Sequence, residues 1–306
     1  MSVDYTNIVN SSKSLALLKG SAKTHAYLVL GADPLLPFLA AKEFAKTLCS
    51  GADTAVLPRG DAARVQTEDI NWLVGDCWIK PFDSEKKAYL IDRADTMTEQ
   101  AQNKLLKTLE EPPESAVFIL AASEEAKLLR TVQSRCRKVR CAAPTQSEIL
   151  NCLIGNNKID AERAEFAAAF SAGSLFLCDK ILESGRYGDA ADAAMRVFRN
   201  MRTSKDILAY SAGLMQYKEI AGAVLDFMSY ILRDVMAVHA GGGLVFNKRR
   251  PDEIAELSAS FSLPVCAAVF RRMDLAKKAL YYNCAYQNVI DGLLFGMLEI
   301  KAKLSS

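Results

Sequence analysis

The sequence predicts an α/β domain built on a parallel sheet, followed by an all-helical C-terminal half. Two observations carry this. Over residues 1–142, short apolar runs alternate with amphipathic stretches, and each run suits one buried strand. After Pro144 the strand signals stop, and apolar residues recur at spacings of three and four to the end of the chain. Strands alternating with helices form a parallel sheet covered on both faces.

The elements follow in chain order. Ala26–Gly31 (AYLVLG) reads as a buried strand. Phe38–Leu48 reads as a helix with Phe38, Ala41, Ala45 and Leu48 on one face, and Thr54–Leu57 as a short strand. Gln66–Trp78 reads as a helix, with Thr67 as its expected N-cap and Glu68 and Asp69 near the positive end of its dipole. Ala88–Asp92 and Ala116–Ala122 are further buried strands, and Val139-Arg140 ends a fifth. Between them Thr98–Glu110 is the clearest helix. Thr98 caps it, Leu105, Leu106 and Leu109 form its apolar face, and Pro112-Pro113 stops it. Beyond Pro144, Thr145–Ile154, Ala161–Ala172 and Leu175–Leu182 read as helices, with Gly173 ending the second. In the last part Ile220, Val224, Phe227, Ile231, Val235 and Val238 mark one long helix. Pro251 and Pro264 open two more, and Val289, Leu293, Met297, Ile300 and Leu304 mark the final one.

Charge and composition exclude several functions. Lys and Arg exceed Asp and Glu by 38 to 36, so the chain has no general basic coat for nucleic acid, and any DNA contact is local. No run reaches the roughly 18 apolar residues of a membrane span. The N-terminal MSVDYTNIVNSSKS lacks a basic stretch followed by an apolar core. A cytoplasmic chain with no membrane partner is expected. The cysteines, Cys49, Cys77, Cys136, Cys141, Cys152, Cys178, Cys266 and Cys284, are scattered, and the histidines are His25 and His239 alone. Without close paired ligands no metal is expected, and the thiols read as buried and reduced.

Two strand ends sit where nucleotide chemistry would be. The working phosphate loop is G-x-x-x-x-G-K-[ST] between a strand and a helix. Aligned on Gly31, that frame puts Leu36 at the second glycine, Pro37 at the lysine and Phe38 at the magnesium-binding hydroxyl. Proline removes an N–H from a loop that works through its N–H groups, and Asp33 adds a repelling charge. By itself one glycine after a strand is weak evidence for such a loop. Either way, tight nucleotide binding is not expected, and no cofactor is assigned. An ATPase strand of the second kind ends in Asp-Glu, one for magnesium and one to polarise water. Here Asp92 is followed by Arg93, which cannot act as a base. Asp92 then reads as a carboxylate capping a turn, and Asp95 as a local cap.

The segment Ala101-Gln-Asn103-Lys104-Leu105-Leu106-Lys107-Thr108-Leu109-Glu110-Glu111-Pro112-Pro113 is far more specific. With the strand after it and Thr131-Val132-Gln133-Ser134-Arg135-Cys136, it resembles the AAA+ clamp-loader subunits of bacterial replicative DNA polymerase. Their pattern reads A-x-N-x-L-L-K-x-L-E-E-P-P, an apolar strand, then T-I-x-S-R-C. His25-Ala26-Tyr27-Leu28, Phe44-Ala45-Lys46-x-Leu48-Cys49, Ala172-Gly173-Ser174, Ala279-Leu280-x-x-Asn283 and Asp291-x-Leu293-Leu294 extend the likeness. It is strongest at 88–140 and weak at 185–280.

The resemblance implies an AAA+ α/β domain (a P-loop NTPase-like parallel sheet) at 1–142, a small helical lid at 143–185 and an all-α oligomerising collar at 186–306. It implies that Arg135, in the Ser134-Arg135-Cys136 motif, is an arginine finger serving the ATP site of the next subunit. Without the resemblance, Arg135 reads as a structural arginine paired to a carboxylate. Lys138 and Arg140 read as solvated. Active subunits of the family place a phosphate-sensing arginine where this chain has Phe176. Many carry a four-cysteine zinc module where this chain has Cys49 alone, which implies that the module and its zinc are lost. Losing lysine, glutamate and sensor arginine while keeping Ser-Arg-Cys resembles the family's non-hydrolysing class. The implied partners are gamma/tau-type ATPase subunits and a delta subunit, with the sliding clamp and primer-template DNA reached through the complex. Two alternatives stand beside this. A divergent ATP-hydrolysing subunit needs a lysine from elsewhere to replace Pro37. An AAA+-derived adaptor outside replication would copurify without loader subunits.

Overall fold

Five strands pair into one parallel sheet. β1 (Ala26–Leu30), β2 (Thr54–Leu57), β3 (Lys87–Ile91), β4 (Ala116–Ala122) and β5 (Arg137–Arg140) lie in the order β2-β3-β4-β1-β5. Each pair is parallel, with Leu28 opposite Leu120 on one side and Lys138 on the other. The computed structural model describes residues 3–20, 24–59, 64–155 and 159–304. The chain divides into two compact units, Met1–Asp179 and Lys180–Ser306.

In the first unit the sheet is joined by α1 (Thr6–Asn10), α2 (Lys13–Lys19), α3 (Leu35–Ala45), α4 (Thr67–Asp76), α5 (Glu99–Glu110), α6 (Arg130–Arg135), α7 (Gln146–Ile154), α8 (Ala161–Phe170) and the start of α9 (Leu175–Glu183). Alternation sorts the strand residues between two faces. Leu28, Leu30, Tyr89, Ile91, Phe118 and Leu120 form one core with Ile70 and Leu73 of α4, Leu105 and Leu109 of α5 and Val132 of α6. On the other face Tyr27 meets Phe44 of α3 edge-on at 4.9 Å. The central strands are buried throughout, as the unbroken apolar runs predict. At the edge, β5 exposes Arg137, Lys138 and Arg140 and buries Val139 alone, a charged pattern that discourages pairing with another chain.

The sequence expectations need several corrections. α3 begins at Leu35, because Asp33 Oδ2 accepts from the Leu36 N–H at 2.9 Å and starts the helix earlier. It ends at Ala45, where Thr47 and Leu48 bond to carbonyls three residues back. The cap of α4 is Gln66, not Thr67: Asp69 Oδ2 accepts from the Gln66 N–H at 2.9 Å. Helices α1, α2 and α6, absent from the sequence expectations, carry too few turns to show a period. The thiols are not uniformly buried. Cys284 is exposed outside any helix, Cys49 is half-buried beyond the end of α3, and Cys152 is half-buried in α7 with its Sγ against the Asp4 carbonyl at 3.3 Å.

The second unit holds the remainder of α9 and α10 (Arg186–Asn200), α11 (Ser204–Met215), α12 (Ala221–His239), α13 (Pro251–Ser260), α14 (Leu263–Tyr281) and α15 (Tyr286–Leu304). α12 buries Val224, Phe227, Ile231 and Val235 at its centre, while Ile220 lies in the preceding turn. The buried Asp234 carboxylate accepts from the backbone N–H groups of Val245, Phe246 and Asn247, which fixes the glycine-rich connection after α12. Pro251 and Pro264 sit in the first turns of α13 and α14. Among the described residues no single helix is long and apolar enough to cross a membrane.

Candidate functional site

Parallel strands bring their C-terminal ends to one edge of the sheet, and the turn after Gly31 and Asp92 both lie there. After β1, Gly31 leads into α3. A Cβ at Gly31 would lie 3.0 Å from Pro37 Cγ and 3.4 Å from Cys141 Cβ, so the proline ring sits against the glycine. Asp33 is buried. Its Oδ2 accepts from the Leu36 N–H, and its Oδ1 accepts from Ser174 Oγ at 2.7 Å and from the Phe176 N–H at 3.1 Å. The carboxylate thus occupies the N-terminal end of α3 and also the N-terminal end of α9, where helix dipoles favour an anion. From sequence alone Asp33 is only a repelling charge in this loop. Here that charge is consumed internally. Pro37 has no N–H, the Leu36 N–H is spent on Asp33, and the ring fills the turn. These residues do not fit a triphosphate.

At the end of β3 the Asp92 N–H donates to the Leu57 carbonyl at 2.8 Å, and Asp92 Oδ2 accepts from Arg93 Nε at 3.1 Å. Burial raises the Asp92 carboxyl above the usual range, against the lowering pull of Arg93. Arg93 itself has φ of 47°, an uncommon left-handed backbone for this residue type. Asp95 does not cap locally. Its Oδ2 accepts from the Ser123 and Glu124 N–H groups at 3.1 and 2.8 Å, tying the end of β3 to the end of β4.

Ser134-Arg135-Cys136 lies at the C-terminal end of α6, distinct from the loop at Gly31. Ser134 is exposed and its Oγ donates to the Thr131 carbonyl at 3.1 Å. Cys136 is buried, and burial pushes its thiol up to about 12. It anchors the turn and is no nucleophile. The Arg135 side chain is 32% exposed. Its Nη1 donates to the Thr131 carbonyl at 2.8 Å and its Nη2 pairs with Glu110. Lys138 and Arg140 are not merely solvated: Lys138 Nζ pairs with Glu125 at 2.7 Å, and Arg140 also pairs with Glu125.

Two glutamines hold α6, and neither stands out in the sequence. Gln102 is buried in α5. It donates to the Met97 and Lys127 carbonyls and accepts from the Leu129 N–H at 2.7 Å. Gln133 donates to the Glu125 and Leu128 carbonyls at 3.0 and 2.9 Å. Gln102 fills the unspecified position between Ala101 and Asn103, so only its burial in an otherwise polar stretch signals its role.

Comparison with known proteins agrees with these motifs. The family described as "DNA polymerase III, delta subunit" matches residues 50–145. The DNA polymerase III subunit delta' of Escherichia coli is 30% identical over 176 residues, covering 58% of this chain and 52% of its own length. The DNA polymerase III subunit gamma of Buchnera aphidicola (Schizaphis graminum) is 33% identical over 119 residues, 37% of this chain and 33% of that one. The chain therefore spans a third to a half of these curated relatives. The solved structure of a DNA polymerase III gamma subunit-related protein from Thermotoga maritima aligns with a TM-score of 0.50 at 16% identity. That alignment covers 94% of this chain and 99% of the other, and supports the fold. The parallel sheet, the helix α5 and these matches together support a member of the bacterial clamp-loader family of DNA polymerase III subunits.

Proposed function

We propose that this chain is a non-hydrolysing clamp-loader subunit of the delta-prime type. It lends Arg135 to the ATP site of an adjacent gamma/tau-type subunit while a delta subunit completes the assembly. The observation that carries this reading is the buried Asp33 carboxylate. It takes the Leu36 N–H at the start of α3 and the Phe176 N–H at the start of α9, donors that a bound phosphate would need. The three-part division into α/β domain, helical lid and collar belongs to the same proposal, with the collar as the oligomerising part. The sliding clamp and primer-template DNA are reached through the complex.

Arg135 suits the finger role chemically. It is permanently charged, forked, a third exposed and held at the end of a short helix buttressed by Gln102 and Gln133. Arginine fingers supplied in trans are worth about 10³–10⁵ in rate at the site they serve. Two measurements test the reading. ATP titrated onto the isolated chain should show no tight binding, and saturable submicromolar binding would refute the non-hydrolysing assignment. In a reconstituted loader, Arg135→Ala should lower DNA-stimulated ATP turnover and clamp loading by at least about tenfold, given that range. Full activity would refute the finger.

A further inference from the structure

We propose that Glu110 is the counter-ion that keeps Arg135 on its own chain until a neighbouring subunit's phosphate replaces it. This rests on the finger reading above and adds the residue that restrains the finger. Both terminal nitrogens of the Arg135 fork are folded back. Nη2 pairs with Glu110, and Nη1 donates to the Thr131 carbonyl one turn earlier in α6.

Helix energetics do not explain an acid at position 110. Glu110 is the last residue of α5, where exposed carbonyls make the dipole negative and a carboxylate is unfavourable. Its carboxylate pairs with Arg135, 25 residues away. Arg135 ends α6, where a cation is welcome. While the two are joined the pair has no net charge, so its pull on a distant phosphate is weak. The bond is nonetheless easily exchanged. The side chains are 32% and 46% exposed, and ion pairs in such surroundings are marginal. A phosphate offers the fork two parallel charge-assisted hydrogen bonds, stronger than the single contact with Glu110. Bringing the next subunit's ATP against α6 therefore swaps one anion for another, and only correct seating of the ring releases the finger.

The test uses the reconstituted loader with the full chain carrying Glu110→Gln, which keeps the shape and removes the charge. Glu110 is exposed, so folding should be unaffected. ATP turnover without clamp or DNA should rise about two- to fivefold, the value of an exposed ion pair. The fold-stimulation by clamp and DNA should fall by the same factor. The Glu110→Gln, Arg135→Ala double variant should behave as Arg135→Ala alone. If Arg135→Ala leaves turnover intact, the finger reading itself fails. If Arg135→Ala lowers turnover but Glu110→Gln does not raise the unstimulated rate, or raises it equally without Arg135, the counter-ion assignment is overturned.

Discussion

Asp33 shows how one residue can replace a ligand. Its carboxylate collects the Leu36 N–H, the Phe176 N–H and the Ser174 hydroxyl in a buried place. Truncation would strand these donors, each costing about 1–3 kcal/mol if it stays dry. Partial relaxation should leave Asp33→Ala about 2–4 kcal/mol less stable, within what loss of a buried polar network costs. Denaturant unfolding measures this, with Asp33→Asn expected to lose less because it keeps one acceptor. Added ATP should restore neither variant, and an unchanged midpoint for Asp33→Ala would remove the clasp. The sequence named Asp33, Pro37 and Phe176 as misfits in a phosphate site. It could not show that Asp33 and Phe176 bond to each other, because 143 residues separate them.

Elements with several turns were legible, and short ones were not. α5 announced itself through Thr98, its leucines and the Pro-Pro stop, and Thr98 Oγ1 does accept from the Ala101 N–H at 3.2 Å. Thr98→Ala should destabilise the chain by about 0.5–2 kcal/mol, the usual value of an N-cap, readable as a lowered thermal midpoint. α6 spans Arg130–Arg135, under two turns, and Gln102 and Gln133 hold it. No periodic pattern encodes such an element. Gly173, expected as a helix stop, has φ of 90°. A Cβ there would lie 3.0 Å from the Pro144 carbonyl oxygen. Gly173→Ala should therefore cost more than about 1 kcal/mol, since alanine resists positive φ and the backbone has no room. A neutral result in the same unfolding assay would contradict this geometry.

Across the whole molecule, burial of acidic protons sets a pH limit. Burial raises Cys136 from its ordinary value of 9.0 to about 12, and Cys178 and Cys266 to about 11. Burial also raises Tyr230 and Tyr286 from 10.0 to about 12. Each folded value lies above its unfolded one, so the protonated form is favoured by folding. The stability they contribute is complete below about pH 9 and is lost as pH rises toward 11–12. The thermal midpoint should hold up to about pH 9 and then fall steeply, and a flat profile to pH 11 would contradict the burial of these groups. The sequence by itself determined the strand runs, the all-helical second half and the helix α5, because these depend on periodicity and on residue chemistry at fixed spacing. The tertiary structure alone decided that Asp33 bonds to Ser174 and Phe176 and that Glu110 faces Arg135. Those contacts join residues far apart in the chain, and only the sheet order and helix packing bring them within a hydrogen bond.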